Sequence, residues 1–128
     1  MEYDESMNNK VYDILDRIKN KYGLFFRVKS LYELTVFLSG FECACNEYVK
    51  RYIPFDTQFQ IFIENQTNAY CSEKHWSGIL SENRSEKEAF DLFFEYLEEF
   101  KKTVKNPDAL EDMYRENMKQ VNDWFYKD

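Results

Sequence analysis

The chain has 128 residues, of which 44% are hydrophobic and 32% charged, and its formal net charge is -7. That length suits one domain over residues 1–128, able to bury roughly two-thirds of its unfolded surface without a disulfide or metal. The charge argues against nucleic acid, whose phosphates call for cationic side chains, and against an anionic membrane surface, and it favours a partner protein with a basic surface.

Residues 1–7 are acidic and polar, unlike a signal peptide. Val11, Ile14, Leu15 and Ile18 recur at spacings of three and four, which predicts a helix over 8–21. Gly23 offers an easy stop for it. Residues 24–28 are short and β-prone, and read as an extended connector or a small strand.

Ser30 and Glu33 have the spacing of a capping box. Behind them Leu31, Leu34, Phe37, Leu38, Phe41, Cys45 and Tyr48 form a broad apolar arc, so a central helix is expected to about Lys50. Gly40 costs that helix ~1 kcal/mol relative to alanine and suggests a close helix crossing. Pro54 suits the first turn of the next helix, on which Phe55, Phe59, Phe62 and Ile63 share a face to about residue 67. Residues 70–83 are open between helix, strand and loop. Trp76, Ile79 and Leu80 fit a short helix that Gly78 weakens.

Ser85 and Glu88 make a second capping box, followed by the stripe Phe90, Phe93, Phe94, Leu97 and Phe100. Acids near the start and Lys101, Lys102 and Lys105 near the end complement the helix dipole. Asn106 and Pro107 restart the chain as N-cap and first residue. Leu110, Met113, Tyr114, Val121, Trp124 and Phe125 give the last amphipathic helix. The expected fold is therefore all-α, an irregular bundle of five or six helices.

Catalytic and metal signals are sparse. The three cysteines, Cys43, Cys45 and Cys71, follow no disulfide spacing, and reduced thiols in the cytoplasm are the simplest account. One histidine, His75, reads as a surface or capping residue. No zinc pattern, di-metal Glu-x-x-His pair, or Walker or dinucleotide motif is present. No apolar run approaches the ~20 residues that cross a bilayer. The sequence thus calls for no cofactor and no metal, and it names no catalytic residue. An active site made only of carboxylates stays open.

Residues 82–99 hold seven acids and two bases. At about 100° per residue, Glu88, Asp91, Glu95, Glu98 and Glu99 fall on one side, opposite Phe90, Phe94 and Leu97. Asp91–Glu95 and Glu95–Glu99 are like-charged pairs, each costing a few tenths of a kcal/mol, which a cationic surface would relieve. Leu92 and Tyr96 border the strip and can anchor a contact. The candidate docking patch is Glu88, Asp91, Leu92, Glu95, Tyr96 and Glu99.

Two stretches carry a family resemblance. One is Asp13-Ile-Leu-Asp-Arg-Ile-Lys19, then Gly23, Lys29-Ser-Leu31 and Phe37-Leu-Ser-Gly-Phe41 with Asn46-Glu-Tyr48. The other is His75-Trp-Ser-Gly-Ile-Leu80 with the acidic helix from Ser85 to Phe100. Together, over roughly half the chain, they resemble small bacterial proteins found beside polymorphic toxins and regarded as immunity proteins. Lys21-Tyr-Gly-Leu-Phe25 departs from the Arg-Pro-Gly that relatives tend to carry before an aromatic. The resemblance implies a protein that binds a cognate toxin, for instance a nuclease with a basic cleft, and blocks it stoichiometrically. The alternatives are an acidic inhibitor or nucleic-acid mimic of another DNA- or RNA-binding enzyme, a helical oligomerisation module, and an enzyme with a carboxylate site. Whether the chain is a monomer or a dimer stays open.

Overall fold

The computed structural model describes residues 6, 8–49, 53–70 and 73–126. Among them are six α-helices and no strand: α1 (Asn8–Asn20), α2 (Leu31–Ala44), α3 (Phe55–Thr67), α4 (Trp76–Ser81), α5 (Glu86–Lys105) and α6 (Pro107–Phe125). The all-α expectation holds. Cys71, Lys50 and most of the acidic N-terminus lie outside the described residues.

The apolar spacings decide which faces go inward. Val11, Leu15 and Ile18 of α1, Leu31, Leu34 and Leu38 of α2, and Phe90, Phe93, Leu97 and Phe100 of α5 are all buried. Full burial of each such side chain stabilises the fold by about 1.5–3 kcal/mol. Phe59 of α3 is the centre of the core. Its ring centroid lies 5.2 Å from Phe55, 4.9 Å from Trp76, 5.4 Å from Phe93 and 5.2 Å from Phe100. Those rings come from α3, α4 and α5, so one aromatic cluster locks three helices together.

Caps set the helix boundaries. Both bonds of the Ser85–Glu88 capping box are made. Asn106 ends α5 and also caps α6, accepting from the Asp108 and Ala109 amides, with Pro107 at the first turn. At α2 the expected reciprocal box is replaced by a tertiary one. Ser30 Oγ accepts from the Glu33 amide at 3.2 Å. The carboxylate that reaches back belongs to Glu86 of α5, which accepts from Ser30 Oγ at 3.0 Å and from the Tyr32 amide at 2.9 Å. A single acid thus serves the positive ends of two helices.

Several local expectations change. Residues 24–28 form no strand. Tyr22–Leu24 is a 3₁₀ turn, and Phe25 and Phe26 then fold onto Phe37 of α2, at 5.9 and 6.2 Å between centroids. Aromatic anchoring wins there over β propensity because no neighbouring strand exists among the described residues to pair with. Gly23 does not take a left-handed conformation, so α1 ends without a glycine cap. Asn68, with φ of 56°, is the left-handed cap of α3, a role asparagine tolerates. Gly40 is exposed, and a Cβ built on it meets nothing within 4 Å. It supports no close crossing. The α-helical part of the central helix stops at Ala44 and widens into a π-helical turn over Cys45–Val49.

Candidate functional site

The six residues of the predicted patch share one face of α5, but much of their charge is already engaged. Ser85 N–H donates to Glu88 Oε1 at 3.2 Å, and hydrogen bonding from Ser85 holds the Glu88 carboxyl below its usual range. Asp91 receives Lys87 Nζ at 3.0 Å and Lys29 Nζ at 3.4 Å. These contacts, the Lys87 hydrogen bond foremost, keep its carboxyl low as well. Glu99 pairs with Lys102 at 3.3 Å, and neighbouring Glu98 with Lys101 at 3.5 Å. Leu92 and Tyr96 are half-buried against the core, Tyr96 lying edge-on to Phe62 at 6.4 Å. Glu88 and Glu95 are exposed with no ion pair among the described residues, and of the two only Glu95 also lacks a side-chain hydrogen bond there. Exposed pairs of this kind are worth ~0–1 kcal/mol each, so a stronger cationic partner can displace them, though it must first do so.

A second acidic surface lies where the end of α2 meets the starts of α3 and α4. It is an open groove of about 550 Å³ lined by Ser39, Glu42, Cys43, Asn46, Glu47, Asp56 and His75. Among the described residues no lysine or arginine lines it; Lys50 and Arg51, which follow the π-helical turn, lie outside those residues. The positions on α2 and its π-helical extension recur at spacings of three and four, which puts them along one side of the helix, with Glu42 at its inner edge, four residues after the buried Leu38. π-helical turns occur often at functional sites, and this one carries Asn46 and Glu47.

The far wall is built by Asp56 and His75. His75 is the N-cap of α4: the Ser77 amide donates to its Nδ1 at 3.3 Å, and Ser77 Oγ lies 2.9 Å from the same nitrogen. Accepting at Nδ1 leaves the proton of the neutral ring on Nε2, which donates to Asp56 Oδ1 at 2.8 Å. The same oxygen accepts from the indole Nε1 of buried Trp76 at 2.9 Å. Gln60 completes the hinge, accepting from the Trp76 amide at 2.6 Å and donating to the Lys74 carbonyl at 3.1 Å. Burial alone would raise the Asp56 carboxyl, but the hydrogen bonds from His75 and Trp76 outweigh it and hold it below its usual value.

Glu42 is the perturbed member of the set. One of its carboxylate oxygens is closed off from solvent and has no hydrogen-bond partner. Burial first, and the charge of Asp56 second, push its carboxyl up to about 7, against a smaller opposing pull from His75. Glu42 therefore exchanges its proton near neutral pH, which an ordinary glutamate does not.

No protein-family model matches the chain, and no curated protein or solved structure is significantly similar to it. Function is therefore read from the surfaces themselves. Among the described residues, no group of three or more His, Cys, Asp or Glu is arranged to hold a metal ion. No described helix is long and apolar enough to cross a membrane. Cys43 is an exposed free thiol at the groove, and Cys45 is half-buried.

Sequence reasoning assigned His75 as a surface or capping residue, and it does cap α4. Asp56 and Glu42 went unnoticed because their neighbours in space are nineteen and fourteen or more residues away in sequence. The one legible signal was the polar recurrence Ser39, Glu42, Cys43, Asn46, Glu47 along α2, which a search for long acidic runs passes over.

Proposed function

We propose that this protein is an immunity-type inhibitor that neutralises a cognate toxin domain by stoichiometric association, with the Glu42 groove as its principal docking site for a basic side chain. The observation that carries the reading is the contrast in neutralisation. Glu42, Glu47 and Asp56 line one open groove with no lysine or arginine among its described lining residues, and Glu42 keeps an unsatisfied oxygen. A lysine or arginine from a partner brings an opposite charge beside Glu42, Glu47 and Asp56, which offsets their mutual repulsion and favours the ionised form of Glu42. The acidic face of α5 then serves to steer a basic partner at long range. The overall charge of -7 agrees with this, as does the resemblance to immunity proteins of polymorphic toxin systems.

The test is co-expression with the toxin domain encoded beside this chain's gene, followed by calorimetry on the purified pair. A one-to-one complex is expected. Glu42→Gln with Glu47→Gln should weaken it by about tenfold or more, the scale of a lost charge-assisted bond. Affinity should rise from pH 6 to pH 8, because a bound cation favours the ionised form of Glu42 and expels its proton. Failure of the neighbouring domain to form any complex removes the reading.

One observation favours a second reading, an acid–base enzyme. The groove pushes the Glu42 carboxyl up and the Asp56 carboxyl down, the division of labour that distinguishes a proton donor from an ionised base. Against it, Asp56 is already committed to His75 and Trp76. Among the described residues, no lysine or arginine lines the groove to meet developing negative charge either. A turnover lost in both Glu42→Gln and Asp56→Asn, with a bell-shaped pH profile, would favour the enzyme.

A further inference from the structure

On another side of the molecule, α1 and α5 flank an open cleft of about 480 Å³, within the ~300–1,000 Å³ range of small-molecule sites. Its walls carry opposite charge. Residues 17–29 include five cations and no acid. Two of them line the cleft: Lys19 near the end of α1, and Lys29 just before α2. The opposing wall is α5, which contributes Asp91 and Glu95, with buried Phe90 and Phe94 beneath.

Among the described lining residues, one ion pair crosses the cleft. Lys29 reaches Asp91 at 3.4 Å, and its ammonium also lies 5.4 Å from the centroid of the Tyr22 ring, which fixes its position. Lys19 and Glu95 line the same cleft, yet both are exposed and neither makes an ion pair among the described residues. Glu98, also on the lining, is taken by Lys101. An anion entering the cleft meets Lys19 favourably but Glu95 unfavourably, and a simple cation meets the reverse. A ligand that carries both charges satisfies both walls at once and completes the pair that the protein leaves open.

We propose that this cleft binds a free apolar amino acid, its carboxylate at Lys19, its ammonium at Glu95 and its side chain toward Phe90 and Phe94. The site is separate from the Glu42 groove and does not rest on the toxin-binding reading.

The experiment is calorimetric titration of the full chain with L-phenylalanine. In parallel come phenylalaninamide, which lacks the carboxylate, and N-acetylphenylalanine, which lacks the ammonium. Saturable binding of phenylalanine is expected, with each analogue weaker by about tenfold or more. Lys19→Met should erase the advantage of phenylalanine over the amide, and Glu95→Gln its advantage over the acetylated form. Both side chains are exposed and unpaired, so the melting temperatures of these variants should stay near that of the parent, which separates lost binding from lost folding. No saturable binding of phenylalanine, or analogues that bind as well as it does, overturns the proposal.

Discussion

On α5, Asp91, Glu98 and Glu99 each lie within 4 Å of a lysine ammonium, whereas among the described residues no lysine or arginine lines the groove with Glu42, Glu47 and Asp56. The first surface is the more conspicuous in the sequence, and the second has fewer lysine contacts among the described residues. The reason is geometric. Consecutive turns of one helix place lysines three and four residues from the acids and so neutralise them locally. The groove assembled from α2, α3 and α4 takes Glu42 and Glu47 from the end of the central helix and Asp56 from the next one, and no lysine or arginine pairs with them among the described residues; Lys50 and Arg51, three and four residues after Glu47, lie outside those residues. A run of acids in a sequence is thus a poor guide to where unbalanced charge ends up.

The largest effect that would break this contrast comes from the platform under the groove. Phe59 holds α3, α4 and α5 in register, and Phe59→Ala should cost about 3–5 kcal/mol in a urea melt. Asp56→Ala comes next. It leaves the buried Trp76 indole N–H without its acceptor and frees His75, and should cost about 1–3 kcal/mol, whereas a loss near zero would mean the α3–α4 hinge is not held by that carboxylate.

Glu42 gives a pH-dependent version of the same comparison. The folded chain keeps its proton up to about pH 7, while the unfolded chain releases it near 4.5. The folded state therefore binds more protons between those values, so stability falls as pH climbs through the window and levels off above it. Allowing for the partial access of solvent, the drop should be about 1–2 kcal/mol. Glu42→Gln should flatten it, and a slope unchanged in that variant would return Glu42 to the ordinary carboxylates.

On the α5 side, Ser85→Ala removes a helix cap and should cost about 1 kcal/mol. Glu99→Gln should shift stability by less than about 0.5 kcal/mol. If Glu99→Gln also weakened binding of the proposed basic partner more than Glu42→Gln does, the order of the two surfaces would be reversed.

Helix identity was legible wherever apolar spacing and caps agreed, as on α5, where Ser85, Glu88 and the phenylalanine stripe point the same way. It was less so where one of them was missing. The spacing on α6 correctly predicts an amphipathic helix. Only its first half finds a surface to cover, and Met118, Trp124 and Phe125 remain exposed. Periodicity reports which residues share a face and says nothing of whether another helix is long enough to meet it. The partner of Glu86 was hidden for a similar reason: its carboxylate caps α2, more than fifty residues away. The groove lay further out of reach, since it needs the π-helical turn after Ala44 and the His75–Asp56 contact, and neither has a local signature.

The chain's two tryptophans stand at opposite extremes: Trp76 is 1% exposed beside the His75 ring, and Trp124 is 58% exposed near the end of α6. Their fluorescence should therefore separate into a blue component from the interior and a red one from the tail. Replacing either in turn yields a protein that reports, without any added label, on events at the groove or on events at its far tip.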